Sequence, residues 1–313
     1  MSTPILIAIG GNSLIRAGQR GTVSEQMENA ALTCSYIAEL VAKGIPVVLT
    51  HGNGPQVGAQ LIRSELASSQ VYPLPLDSCD ASTQGEMGYI LQNALRSALH
   101  TKGLKNPVIT ILTQVVVGND DPAFTNPTKP IGPFYSKEVA EHRRREQGWQ
   151  IVEDAARGYR RVVPSPKPLD IVELDAIDAC VKLGMIVIAV GGGGIPVVQE
   201  DGHYRGVEAV IDKDRASALL ARELHLKRFV ISTDTDRVYL NFKKPNQTAV
   251  DRLKASEAVQ YLGDGQFPAG SMGPKVEAAV DFLSHGGEEV IITNPEHLAE
   301  AVYGTTGTHI VAG

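Results

Sequence analysis

The chain has 313 residues, 43% of them hydrophobic and 20% charged, with a formal net charge of −6. This composition fits a globular protein with a large core in one or two domains, and the acidic balance disfavours nucleic acid or an anionic membrane as the main partner. Cys34, Cys79 and Cys180 are widely spaced and form no CxxC pair, so reduced thiols are expected in place of a disulfide framework or a zinc site.

The opening Met-Ser-Thr-Pro carries no basic leader and no run of 18 apolar residues follows, so a cytoplasmic protein that is not exported is expected. Ile5 to Ile9, an apolar run emptying into Gly10-Gly11-Asn12, reads as a buried parallel strand. Glycines at the carboxyl end of such a strand leave backbone N–H groups bare to a bulky anion. Ser24 is placed as the cap of a helix reaching Lys43, with Gly44 as its stop. The strand pattern returns at Val47 to Thr50, running into His51-Gly52-Asn53-Gly54. Pro55 there suits a first helical position and puts the loop at an anion-favouring helix N-terminus. Residues 68–82 read as a loop, 83–102 as a long helix and 108–117 as one strand.

Composition then shifts over residues 120–168, which hold seven of the 18 prolines and the single tryptophan, Trp149. The segment reads as an inserted flap or subdomain between two βα halves, with a charged helix over 136–147 and strands or a hairpin over 150–163. Arg143-Arg144-Arg145 is interleaved with Glu138, Glu141 and Glu146 and reads as a solvated helix face. Regular alternation resumes with a helix over 173–183 and the strand Ile186 to Val190, which empties into Gly191 to Gly194. A loop over 196–210, a helix from Asp212 to Leu224, a strand from Phe229 to Ser232 and a polar excursion over 243–250 follow. A helix opened by Gly270-Ser271-Met272-Gly273-Pro274-Lys275 precedes two last strands, near 290–293 and 308–311, around a short helix. Strands alternating with helices imply a mostly parallel sheet covered on both faces.

Ligands of an open α/β sheet sit beyond the carboxyl ends of the strands, so the three glycine loops are expected to converge on one site. No G-x-x-x-x-G-K-[ST] occurs, and the third glycine of Gly52 to Gly58 comes one residue late for a dinucleotide fingerprint. Lys213 and Lys275 each fall in the first turn of a helix. The macrodipole disfavours a cation there by about 0.3–1 kcal/mol, so both lysines call for an anion. Lys129 lies between Pro127 and Pro130, which stiffen the backbone and aim its side chain. His51, beside a glycine loop, is expected to have a structural or acceptor-positioning role and not to move a proton.

Ala8 to Asn12, Thr50 to Gly58, Pro127 to Gly132, Gly191 to Pro196, Ile211 to Asp214 and Gly270 to Lys275 resemble, in order along nearly the whole chain, the motif set of the carbamate kinases, a branch of the amino acid kinase superfamily. The resemblance implies an α/β fold: a three-layer αβα sandwich around a mostly parallel open sheet, with a small protruding subdomain over about 120–168. It implies one domain over 1–313, with 1–212 as an acceptor-binding lobe and 213–313 as a nucleotide-binding lobe. The implied activity is reversible phosphoryl transfer between ATP and carbamate, giving ADP and carbamoyl phosphate, in a cytoplasmic homodimer with Mg²⁺ that serves arginine metabolism. Carried onto this sequence, Lys129, Lys213 and Lys275 contact the transferring phosphoryl group and Asp214 orients the lysines. Gly10, Gly11, Asn12, Gly52, Asn53 and Gly54, with Gly192 and Gly193, hold the acceptor and γ-phosphate. The nucleotide lies near Thr233, Asp234, Val238, Tyr239, Met272 and Gly273; no direct Mg²⁺ ligand is implied.

A carbamate oxygen is already anionic at neutral pH, so its attack on phosphorus needs no general base. That chemistry suits lysines and glycines without a partnered histidine. Two other readings stay open: a kinase of the same superfamily acting on another small carboxylate, and a non-catalytic sensor of nucleotide or carbamoyl phosphate.

Overall fold

The computed structural model describes residues 3–16, 18–154, 158–268 and 270–313, apart from the side chains of Asn12, Pro133 and Asp154. β1 (Ile5–Ile9) is buried along its whole length and leads into a 3-10 turn over Gly11–Ser13. α1 (Val23–Ala42) is capped by Thr22 and not by Ser24. Thr22 Oγ1 accepts from Glu25 N while the Glu25 carboxylate accepts from Thr22 N, a reciprocal box that leaves Ser24 inside the helix. β2 (Val47–His51) and α2 (Gly54–Leu66) follow, with Pro55 in the first turn as expected.

α3 spans Leu76–Thr101 and takes up much of the predicted 68–82 loop. Its first turns bury Asp80, Thr83 and Gln84 beside Leu76 and Cys79, a mixed face that apolar periodicity does not mark. The single strand expected over 108–117 is two, β3 (Val108–Thr110) and β4 (Gln114–Val117), which join different sheets. Gln84 makes the break by bonding both backbone groups of Thr113: its Nε2 donates to the carbonyl at 3.0 Å and its Oε1 accepts from the N–H at 2.9 Å.

The proline-rich insertion forms β5 (Lys129–Tyr135), α4 (Lys137–Gln147), β6 (Gln150–Asp154) and β7 (Gly158–Val163), a three-stranded antiparallel sheet with one helix. The Arg143 and Arg161 guanidiniums both stand over the Trp149 ring, and Arg143 also pairs with Glu65 of α2. A Cβ on Gly58 of α2 would stand 3.1 Å from Gly132 Cα of β5, so glycine there lets the insertion lie directly on α2.

β8 (Pro168–Ile171), α5 (Leu174–Lys182) and β9 (Ile186–Ile188) return the chain to the body. The predicted 196–210 loop is largely a hairpin, β10 (Ile195–Glu200) and β11 (His203–Gly206), turned by Asp201 and Gly202 in the left-handed region. Then come α6 (Lys213–Glu223), β12 (Arg228–Ser232), β13 (Val238–Leu240), β14 (Thr248–Val250), β15 (Arg252–Lys254) and α7 (Ala255–Gly263). α7 has no counterpart in the sequence reading, although Ala255, Ala258, Val259 and Leu262 follow helical spacing; it is short, and Ala258 is its one buried residue. α8 (Met272–Ser284), β16 (Glu289–Thr293), α9 (Leu298–Val302) and β17 (Thr308–Val311) complete the chain.

The main sheet runs β15-β17-β16-β12-β1-β2-β9-β3, parallel at every pair except β16–β17. Alternate residues of one strand feed opposite cores. Leu6 and Ala8 join Leu220 of α6 and Val276 of α8, whereas Ile5, Ile7 and Ile9 join Ile37 of α1 and Ile90 of α3. Those two cores on either face give the expected three-layer αβα sandwich. The chain leaves β1 toward β2 on one side and later fills β12 on the other, so the carboxyl end of β1 lies at a switch point where such sheets bind ligands. Among the described residues, no helix is long and apolar enough to cross a membrane.

Candidate active site

The site is built around the first turn of α6. Asp212 caps that helix, its Oδ1 accepting from Asp214 N at 2.9 Å and from Arg215 N at 3.4 Å. Lys213 Nζ donates to Asp214 Oδ1 at 2.5 Å, and Lys275 Nζ, from the first turn of α8, donates to Asp214 Oδ2 at 3.1 Å. The Asp214 side chain is 3% exposed and each lysine side chain 14%, so three charges share a nearly dry space. Burial works to raise the Asp214 carboxyl, but the two ammoniums hold it well below the usual carboxylate range. Burial also lowers the Lys213 ammonium below its ordinary value, with Asp214 opposing and Lys275 adding to the fall.

Lys129 does not share that carboxylate. Its Nζ donates to Asp212 Oδ2 at 2.8 Å, so Asp214 orients two of the three lysines and Asp212 holds the third. Asp212, given no role by the sequence reading, thus caps α6 with one oxygen and ties the insertion to the body with the other. Its signal was present as an aspartate at the N-cap position ahead of Lys213. Burial raises its carboxyl, but Lys129 brings it below its ordinary value.

The three glycine loops meet here. A Cβ on Gly52 would fall 3.2 Å from both Gly11 N and Lys213 Cδ, and one on Gly192 would fall 2.2 Å from Asn53 Nδ2. Gly193 packs on the Ile211 carbonyl. Gly192 and Gly193 therefore back the site from behind Asn53 and Ile211. The expectation of bare N–H groups needs correction at two positions. Gly10 N donates to Ser232 O at 2.9 Å and Gly52 N to Ile9 O at 3.0 Å, so both are spent in the sheet. Among the described residues, no acceptor reaches the N–H groups of Gly11, Asn53 or Gly54, which leaves these for an anion. Asn12 stands in the same turn, but its side chain lies outside what is described.

His51 is buried with Nδ1 3.1 Å from Gly52 O, and burial pushes its imidazole down to about 4. It is neutral at physiological pH and packs against Gly191. Asn53 is 3% exposed, its Nδ2 donating to Thr83 Oγ1 at 2.9 Å and to Asp80 Oδ1 at 3.3 Å. The sequence reading gave neither α3 residue a place in the site. Their mark is polarity on the helix face that carries Leu76, Cys79 and Met87 into the core.

On the other side of Lys275 opens a cavity of about 250 Å³ bordered by Thr233, Asp234, Tyr239 and Met272, with Arg237 and Phe242 as unpredicted walls. Val238 and Gly273 are not part of it. Val238 is a core residue whose N–H donates to Thr308 Oγ1, and Gly273 is buried with its N–H on Pro268 O. Among the described residues, no three His, Cys, Asp or Glu side chains gather as a metal cage.

This geometry has close relatives. The profile of the amino acid kinase family matches residues 3–294. The carbamate kinase of Thermococcus kodakarensis is 47% identical over 311 residues, 98% of each chain. The chain belongs to the carbamate kinases of that family. A carbamate kinase-like protein of Escherichia coli K12, YahI, is 48% identical over 99% of each chain. Among solved structures, carbamate kinase from Giardia lamblia bound to AMP-PNP aligns with a TM-score of 0.93 at 40% identity, over 99% of this chain and 98% of that one. The carbamate kinases thus share the present fold from end to end.

Proposed function

We propose that the chain catalyses reversible phosphoryl transfer between ATP and carbamate, giving ADP and carbamoyl phosphate. ATP-dependent kinase activity follows from the family. The observation that carries the site assignment is the Asp214 bridge, which holds the Lys213 and Lys275 ammoniums side by side between the glycine loops and the Thr233–Met272 cavity. A carbamate carboxylate oxygen attacks the γ-phosphorus, the bond from that phosphorus to the β–γ bridging oxygen breaks, and ADP leaves with the electron pair. No proton has to move. The obstacle is the approach of two anions, and phosphoryl transfer is catalysed mostly by alignment and charge neutralisation.

In this reading Lys213 and Lys275 neutralise the moving phosphoryl group and Asp214 fixes their spacing. Lys129 exchanges Asp212 for phosphate oxygens when substrate arrives. The N–H groups of Gly11, Asn53 and Gly54, with Asn12, hold the acceptor side, while Gly10, Gly52, Gly192 and Gly193 allow close approach. Thr233, Asp234, Tyr239 and Met272 receive the nucleotide, so residues 1–212 serve the acceptor and 213–313 the nucleotide. Mg²⁺ belongs to the substrate here. It favours one or two carboxylates plus substrate phosphates over an all-protein cage, and the Asp212 and Asp214 carboxylates are engaged by lysines. A homodimer, a cytoplasmic location and service in arginine metabolism are parts of the same reading and rest on the family resemblance.

A coupled assay for ATP formed from ADP and carbamoyl phosphate tests the reading, with acetyl phosphate and acetylglutamyl phosphate as controls. ATP from carbamoyl phosphate well ahead of both controls is the expected result. Preference for acetylglutamyl phosphate, or tight binding of carbamoyl phosphate without turnover, would replace it with one of the two other readings.

A further inference from the structure

Asn53 ends the acceptor loop with its side-chain amide turned toward the first turns of α3, and Thr83 decides which way round that amide sits. The Thr83 hydroxyl hydrogen is used inside its own helix, where Oγ1 lies 3.0 Å from Cys79 O and 2.9 Å from Asp80 O. Toward Asn53, 2.9 Å away, Oγ1 therefore only accepts. The NH₂ end of the amide must face α3. Its carbonyl Oδ1 is left at the other end, and among the described residues no donor reaches it. Gly192 lies against the amide, where a Cβ would fall within 2.5 Å of Nδ2, Cγ and Oδ1 alike.

Asp80 completes this arrangement at a cost. Its Oδ2 is buried with no partner, an expense that packing alone does not justify. Burial, with Asp77 and Glu208 nearby, raises its carboxyl well above the ordinary range, which favours the protonated form.

Resting on the reading that the acceptor lies at the Gly52–Gly54 loop, we propose that Thr83 and Asp80 are positioning residues that fix the Asn53 amide so that its Oδ1 accepts an N–H of the acceptor's amino group. Of the groups on carbamate or carbamoyl phosphate, only the amino group donates. An acyl phosphate with a methyl in that place leaves Oδ1 unpaired in a confined site. The pair thereby selects carbamoyl over acyl substrates, since sites built to bond a donor discriminate against analogues that lack it.

The test compares kcat/KM for carbamoyl phosphate and acetyl phosphate in ATP formation by the wild-type enzyme, Thr83→Val and Thr83→Ser. Valine keeps the shape and removes the acceptor. The amide then keeps only the longer contact of its Nδ2 to Asp80 Oδ1, 3.3 Å away, and its orientation is less firmly held. The preference for carbamoyl phosphate should fall about fivefold in Thr83→Val through a raised KM for that substrate, the scale of one net hydrogen bond. KM for ADP and the kinetics with acetyl phosphate should hold, and Thr83→Ser should keep the wild-type ratio. Thr83→Ala stands in where valine does not fold. An unchanged ratio in an active variant, or an equal loss on both substrates, overturns the proposal alone. Wild-type enzyme that makes no ATP from carbamoyl phosphate overturns the functional reading and this proposal with it.

Discussion

Alanine at Lys213 or at Lys275 is expected to lower kcat by at least about 10²-fold in a protein that still folds, the scale of removing one preorganised donor from a site where charge develops. Both ammoniums are held nearly dry by Asp214, so neither is replaced cheaply by water. The two variants should differ in their second effect. Lys213 lies against Gly52, so its loss raises KM for carbamoyl phosphate, whereas Lys275 borders the Thr233–Met272 cavity, so its loss raises KM for ADP. Steady-state kinetics on purified variants with unchanged circular dichroism provide the check. Near-normal turnover in either defeats the assignment. Because burial lowers the Lys213 ammonium from its ordinary 10.5, wild-type activity should also fall with rising pH at a midpoint below that value.

Asp214→Ala is the second large effect, and it is expected in stability as well as in rate. Removing the carboxylate leaves two neighbouring ammoniums uncompensated, a change that costs about 3 kcal/mol when a buried pair loses one partner. The pH sign follows from the depressed carboxyl. Its contribution is present above the value of the unfolded carboxyl and lost as pH falls toward the folded one. Urea midpoints of wild type and variant should therefore lie furthest apart near neutrality and converge only in strong acid. A gap that is absent near neutrality, or that widens in acid, would contradict the arrangement. In rate, the variant should lose as much as either lysine variant, since its lysines no longer hold their spacing.

What the sequence revealed and what it hid divide along locality. An apolar run that ends in glycine is a local signal, so β1, β2 and β9 and their loops were readable, as were the helix-opening positions of Lys213 and Lys275. Pairing is not local. Lys129 and Asp212 lie 83 positions apart, and the insertion's packing on α2 through Gly58 and Gly132 decides that they meet. The start of α3 was hidden because the face it buries is partly polar, and the division of 108–117 because one glutamine side chain, Gln84, takes the place of a strand neighbour. Val238 and Tyr239 show a limit that was avoidable. Adjacent residues of a strand point to opposite faces, so β13 sends Val238 into the core and Tyr239 to the cavity, and both were never able to line it. The bare N–H groups were half right for a similar reason: Gly10 and Gly52 still belong to the sheet ladder, and the free donors begin one residue later.

One crystal structure, of the protein with ADP, Mg²⁺ and aluminium fluoride, bears most directly on the claim that distant parts of the chain enclose a single phosphoryl position. The fluoride should lie within about 3 Å of the Lys213 and Lys275 amines and of the Gly11 and Gly54 amides, a hydrogen-bond distance. Lys129 should have left Asp212 for it. A fluoride bound away from these groups, or ADP in place with the two lysines turned to solvent, would contradict the account.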